Sequence, residues 1–497
     1  MRLVRRSRFI PFWKLDLLRI AQSGQKGLGA DIVPASSFAY LILFLQVFSF
    51  AILNAIWVLP GTIGLRYACL ILGACLSFYP IYQARKLLLQ KRALPIWLLV
   101  ALFGWATFHL FFLSQNKVLQ LEELSSIWKR AAIGLWFAFG MGLSIFRLDQ
   151  QTNRSKWWQL CYWIIFYCGL LAPTLIYLIK VLLAMYGQQW GIQIPQSIQM
   201  YVGAHSVYMA KTAYVAFCLP ALAVALGMLL QNIQNHRWLS LGNIFYILTI
   251  PAVFIVFYLE NIKNGVAYGT LLIAIFLFCL LATLFKGHWF LKIILGACLV
   301  TASIFFISKH LEQNTSWRTF AADTKIALDI NQYQQWKYSG ARGYPNNALG
   351  VPVSVTNYER VSWAKVGIKL IEQNPLGYGL IERSFGRQAK VSWPDSLLHQ
   401  SHSGWIDLTL GIGIPGAILL LGALWMLLWQ LCAEELQEQG LRSNSWKRAS
   451  RWAIGGLFLM WCTTEISQKV YFEALIFWLA LGAGVSLYPV KNKTTRP

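Results

Sequence analysis

The sequence predicts an all-α polytopic membrane protein with about twelve transmembrane helices and a large helical loop between helices nine and ten. Three observations carry this. Hydrophobic residues make up 57% of the 497-residue chain and charged residues only 12%, where a soluble domain carries roughly 25% charged residues. Apolar runs long enough for a bilayer core, which takes about 20 helical residues, recur along the chain. Lys and Arg gather in alternate connections between those runs, as they do on the cytoplasmic side of membrane proteins. A mean hydropathy of +0.51 excludes a soluble, disordered or fibrous chain. The formal charge of +24 would point to nucleic acid in a soluble protein. Here its distribution matters more than its sum, and no nucleic-acid partner is expected.

Residues 1–36 form a basic arm with Arg2, Arg5, Arg6, Arg8, Lys14, Arg19 and Lys26. The first long apolar run begins near residue 37, too late and too long for the core of a cleavable signal peptide, so it is expected to stay as a span. Nine spans fill 37–308: 37–60, 62–82, 94–114, 127–147, 157–182, 206–230, 239–259, 265–285 and 289–308. Three more fill 403–490: 403–430, 451–467 and 473–490. A short tail, 491–497, carries Lys491, Lys493 and Arg496. The even-numbered connections add Arg85, Lys86, Lys91, Arg92, Arg147, Arg154, Lys156, Arg237, Lys286, Lys292, Arg442, Lys447, Arg448 and Arg451. The opposite short connections hold only Arg66, Lys117, Lys129, Arg130, Lys263 and Lys469. Both termini are therefore expected in the cytoplasm, with an even number of spans.

Residues 309–402 break the pattern. This long, polar segment on the non-cytoplasmic side holds Trp317, Trp336, Trp363 and Trp393, which marks a folded element and not a linker. Its first part, about 316–333, reads as a helix with Phe320, Ile326, Ala327 and Ile330 at helical spacing. A Gly/Pro-rich stretch, Gly340 to Pro352, follows. A capping box at Thr356-Asn357-Tyr358-Glu359 then opens a second helix, with Val361, Ala364, Ile368 and Ile371 on one face. Asn374-Pro375 ends it. Residues 188–205 read as a smaller outer loop lying along the membrane. No internal repeat of the kind common in transporters is visible. The nine cysteines fall in or beside apolar runs, without CxxC spacing or a Cys/His cluster. They read as small buried hydrophobes, with no metal site.

Ionisable groups at membrane depth, and loops on one face of a rigid bundle, are where function concentrates. His399-Gln400-Ser401-His402 stands at the junction of the long loop and span ten, followed by Asp407 and the run Gly411 to Gly416. A histidine at a water–membrane junction titrates near neutrality and can act as a general base. It can equally be an interfacial residue bonded to a loop carbonyl. Arg360, in the first turn of the second loop helix, joins a guanidinium to a helix N-terminus, which suits an anion. The bland alternative pairs it with Glu359 or Glu372. Arg342, Arg383 and Arg387 are further cations of the loop, each readable as solvated. Lys263, in the tight turn Glu260 to Gly265, is a point charge for a phosphate or a residue snorkelling to the interface. Lys211, inside span six after His205, needs a partner or a wet cavity. Lys180 reads as snorkelling. Pro173, Pro220, Pro251 and Pro415 interrupt spans, which membrane helices tolerate.

Two stretches together resemble the O-antigen ligase family, which includes O-antigen polymerases and protein O-oligosaccharyltransferases of Gram-negative inner membranes. One runs from Arg360-x-x-Trp363 through Asn374-Pro375-Leu376-Gly377-Tyr378-Gly379. The other runs from His402-Ser403 through Gly413-Ile414-Pro415-Gly416. The topology matches over the whole chain; the motifs cover only about 260–265 and 357–416. The family commonly has Asn where Ser403 stands and Arg where Lys263 stands; Lys keeps the charge but loses the bidentate fork.

The resemblance implies glycosyl transfer from undecaprenyl diphosphate to a sugar hydroxyl of the lipid A core, at the periplasmic face. It implies His402 as base, with Arg360, Lys263 and Arg383 holding the diphosphate. It implies no metal, no cofactor and inversion at the sugar, with membrane lipids around the donor's tail. A polymerase or a protein glycosyltransferase of the same family shares the donor half. The ligase is favoured because the long loop follows span nine and no large domain follows span twelve. A lipid-linked sugar transporter is the reading from another class; it would gather charges near the midplane.

Overall fold

The computed structural model describes residues 37–59, 61–149, 156–192, 213–260, 262–284, 290, 318–437, 445–464 and 470–487. Every regular element in them is helical. Among the described residues, nine helical runs are long and apolar enough to cross a membrane, and each overlaps one predicted span: the first eight and the tenth. The first are α1 (Ser37–Trp57), α2 (Ile63–Gln83) and α3 (Leu94–Phe112). The fourth run joins α4 (Lys117–Glu123) to α5 (Lys129–Asp149) through a π-helical turn, Leu124–Trp128, and so starts ten residues before the predicted span. Then come α6 (Lys156–Tyr186), α7 (Ala213–Gln234), α8 (Leu241–Leu259) and α9 (Lys263–Leu284). Three short helices, α10 (Phe320–Leu328), α11 (Val355–Gln373) and α12 (Ser384–Ser392), fill the predicted loop. Helix α13 (Gly404–Gln437) is the ninth membrane-length run. Helix α14 (Ser445–Thr463) begins with Lys447, Arg448 and Arg451, and α15 (Val470–Ser486) is apolar but shorter. The arm 1–36, nearly all of span nine (289–308), His205, Lys211 and the tail 491–497 lie outside the described residues.

Helix α7 is the centre of the bundle: from Ala213 to Gln231 every residue is buried. A helix apolar all round is the one a core can surround. Elsewhere small residues let backbones approach, as in many membrane bundles. A Cβ on Gly142 of α5 would sit 2.5 Å from Leu481 O of α15, and one on Gly484 would sit 2.4 Å from Phe139 O. Pro173, Pro220 and Pro251 lie inside continuous helices, so they do not interrupt their spans as expected.

Two further expectations are corrected. Lys180 does not snorkel: it is buried, with Nζ 3.5 Å from Val58 O. The Val58 carbonyl, just past the end of α1, gives the buried ammonium a partner. Of the eight described cysteines, only Cys69 and Cys218 are buried, while Cys75, Cys168, Cys432 and Cys462 lie on outward helix faces. An apolar outer face accommodates a thiol as readily as a core does.

The segment 318–402 has a hydrophobic core of its own, built on Trp336, Tyr358, Trp363, Val366, Leu370 and Phe385. Leu410 of α13 joins it to the bundle.

Candidate functional site

Asp323 organises the start of α11. Its carboxylate is fully buried and accepts from Thr319 Oγ1 (2.6 Å), Asn347 Nδ2 (2.8 Å), Asn357 Nδ2 (2.9 Å) and Ser354 N–H (3.2 Å). Burial on its own would raise its pKa, but these bonds outweigh it and hold the carboxyl below its ordinary value. The capping box expected over Thr356–Glu359 does not form. The helix starts at Val355 with Ser354 as N-cap, so Glu359 falls at the fifth helical position, too far along to reach back. It accepts instead from the Tyr344 hydroxyl at 2.7 Å. The buried face is also rotated from the expected one. Tyr358, Ser362, Trp363, Val366, Gly367 and Leu370 point inward, and Ile368 is 54% exposed. The two largest aromatic rings of the helix set its rotation. In α10, Ile326 and Ala327 are buried as expected, but Phe320 is exposed.

Trp363 is the platform of the site. Its indole N–H donates to Trp336 O at 3.0 Å, and the His402 ring stacks on it at 5.4 Å, 18° from parallel. His402 has φ 57°, a left-handed conformation that few residues other than glycine adopt. That turn aims the half-buried imidazole back over α11 and not along α13. Its neighbour Ser401 donates to Asp407 Oδ1 at 2.7 Å, and Ser384 donates to Asp407 O at 3.0 Å. Asp407, fully buried, thus anchors the start of α13.

Arg360 lies three residues before Trp363, on a neighbouring part of the helix surface. Its Nη2 reaches Asn264 Oδ1 at 3.5 Å. Asn264 in turn donates to Thr463 O at 3.4 Å, and the Tyr268 hydroxyl bonds Thr463 and lies 3.2 Å from Thr464 Oγ1. The structure therefore brings Arg360 to the turn that carries Lys263, the first residue of α9. The N–H groups of a helix's first turn and its dipole favour an anion there.

Arg383 stands apart. It is exposed, in left-handed backbone (φ 54°), as the N-cap of α12, and its side chain makes no hydrogen bond or ion pair among the described residues. The preceding N–H groups of Ile381 and Glu382 donate to the Glu123 carboxylate at 2.8 and 3.0 Å. Arg342 sits over the Tyr338 ring, 4.0 Å from Asp395, and Arg387 keeps a buried Nε without a partner.

Glu359 is the site residue that sequence reasoning missed as chemistry. Burial lifts its carboxyl above the ordinary range, while the Tyr344 hydroxyl and the charge of His402 pull it down. The Glu359 carboxyl thus lies within electrostatic reach of the His402 ring. Only its position beside Arg360 signalled it in the sequence.

The glycine motifs have a structural role. Helix α13 breaks at Gly413 (φ 73°, ψ 178°), and a broken helix must have its freed backbone groups satisfied. Tyr378 N–H donates to Leu410 O (2.8 Å), Gly379 N–H to Gly411 O (2.6 Å), and Trp105 Nε1 to Ile412 O (2.6 Å). Ile414 N–H returns to Pro375 O at 2.8 Å. His109, buried on α3, lies 3.1 Å from Gly377 O. Gly377 and Gly413 must be glycine: a Cβ on the first would sit 2.3 Å from Gly413 N, and one on the second 2.3 Å from the Leu376 carbonyl carbon. The stretch Asn374–Gly379 and the Gly-x-Pro-Gly turn are two halves of one joint.

No protein-family model and no curated protein matches this chain.

Proposed function

We propose that the chain is a membrane glycosyltransferase of the O-antigen ligase type, moving a glycan from undecaprenyl diphosphate to a sugar hydroxyl of the lipid A core. The observation that carries this reading is a histidine and a cation brought together at one helix: His402, in the turn before α13, stacks on Trp363 of α11, and Arg360, one turn before Trp363 on α11, reaches the start of α9. The motifs shared with the family support it. In this reading the chain has twelve spans and cytoplasmic termini in a Gram-negative inner membrane, and residues 309–402 face the periplasm.

The chemistry asks for a base and for charge. His402 takes the proton of the acceptor hydroxyl as its oxygen attacks the anomeric carbon. The bond to the diphosphate breaks on the opposite face, so the sugar inverts. The departing lipid diphosphate gains negative charge, which Arg360, Lys263 and the first-turn N–H groups of α9 stabilise. Glu359 steadies the imidazolium once it holds the proton. Arg383, out on the rim, contacts the polar part of the donor. No step is assigned to a metal or a cofactor.

The test supplies purified protein with the lipid diphosphate-linked glycan and, in turn, lipid A core, a second lipid-linked glycan, or pilin. Transfer to lipid A core, kept in a chelator, supports the ligase. Transfer only to the second glycan or to pilin moves the chain to the polymerase or the protein transferase. Donor left intact with all three would refute the reading.

A further inference from the structure

His402 stands in left-handed backbone, at φ 57°. A residue with a Cβ resists that conformation and keeps it only where its surroundings impose it. The residues on either side supply the constraint. The Ser401 hydroxyl lies 2.7 Å from Asp407 Oδ1 and 3.0 Å from Ser403 O. The carboxylate is the nearer acceptor and the charged one, so it takes the proton. The hydroxyl oxygen keeps its lone pairs, and Ser403 N–H donates to it at 3.1 Å. Ser403 O accepts in turn from Asp407 N–H at 3.0 Å, in the first turn of α13. Ser401, Ser403 and Asp407 thus close a ring of bonds around His402, and the imidazole carried by this turn stacks on Trp363.

Both partners are buried, Ser401 at 3% exposure and Asp407 at 0%, so water does not replace a lost bond between them. A carboxylate in the first turn of a helix also suits the helix dipole, but that needs only nearness to the N-terminus. Asp407 instead turns one oxygen back past the start of α13, onto the residue before His402. Burying it costs desolvation that an exposed cap would avoid. We propose that Ser401 and Asp407 are positioning residues for His402: their bond fixes the left-handed turn, and with it the direction of the imidazole. In this role neither touches substrate. The pair acts on proton removal through the placement of the ring, where a shift of about 1 Å can cost about 10²-fold in rate. The catalytic side of the proposal rests on the reading of His402 as the base; the fixing of the turn does not.

The test follows Ser401→Ala in the purified full chain by two readouts. The first is glycan transfer. Its kcat should fall at least about tenfold, with KM for the lipid diphosphate-linked donor unchanged. Added to His402→Ala, the same substitution should cause no further loss, and added to Asp407→Ala it should do no worse than Asp407→Ala alone, because both break one bond. The second readout needs no substrate. Modification of the His402 ring by diethyl pyrocarbonate, mapped by mass spectrometry, should be at least about threefold faster once the turn loses that hydrogen bond. Ser362, buried on α11, donates to Ala327 O at 3.0 Å. Ser362→Ala removes a comparable bond and should lower the melt similarly, with wild-type kcat and labelling. Wild-type kcat and labelling in Ser401→Ala, or equal changes in Ser362→Ala, would overturn the proposal. A wild type that transfers no glycan would sink only the reading of the function, and the labelling would then decide for the turn.

Discussion

Asp323 and Glu359 sit on either side of the first turn of α11, and their surroundings push them in opposite directions. Asp323 is held below its ordinary value of 3.8. The stability it contributes is full above that pH and is lost as the pH falls below it. Asp323→Ala leaves four donors without their acceptor and should cost roughly 3 kcal/mol. Thermal melts, with hydrogen exchange over residues 320–373, would show it as a gap from wild type that narrows below about pH 3.8. An unchanged melt would show that the hub is dispensable. Glu359 is lifted above its ordinary 4.5, so its ionisation costs stability as the pH rises through the raised value. Glu359→Gln should therefore melt no lower than wild type at neutral pH. It should nonetheless lower kcat by about 10²-fold, with KM little changed because Glu359 does not contact the acceptor. Glu359→Asp should restore part of the rate. Full kcat in Glu359→Gln would remove the residue from the mechanism.

The break in α13 is the element on which the loop and the bundle meet. Gly377→Ala and Gly413→Ala each place a methyl group on backbone atoms 2.3 Å away, at φ 89° and 73°. Each should cost more than about 1 kcal/mol and lower the melting midpoint. Gly455→Ala in α14 meets nothing within 4 Å and serves as the control, expected to melt at or slightly above wild type. Equal melts for all three would mean that the joint is not what requires the glycines. At this scale the helices were legible, because hydropathy fixes where a chain can cross a bilayer. Their terminal details were not. The start of α11 is decided by Asp323, which lies over thirty residues upstream of Ser354. The turn at Gly413 is completed by Trp105 of α3, 307 residues from Ile412. A local motif does not announce partners at such separations.

In the proposed topology, the +24 charge divides into a cytoplasmic belt and a few cations at the candidate site. In a background without native cysteines, a membrane-impermeant thiol reagent added to intact cells should label Val391→Cys and spare Leu239→Cys. Both positions are well exposed, at 74% and 100%, so reversed labelling would invert the topology. His402, Arg360 and Lys263 were legible as separate candidates from residue type and position. Their assembly was not. The contact from Arg360 to Asn264 spans 96 residues, and the stacking of His402 on Trp363 depends on a left-handed turn that spacing does not encode. Arg383, equally visible as a cation, lies on the rim. The most direct measurement is glycan transfer onto lipid A core in a strain lacking its own ligase, with His402→Ala set against the wild type at matched protein level. Transfer should fall by about 10²-fold or more. Full transfer by the variant would mean that His402 is not the base.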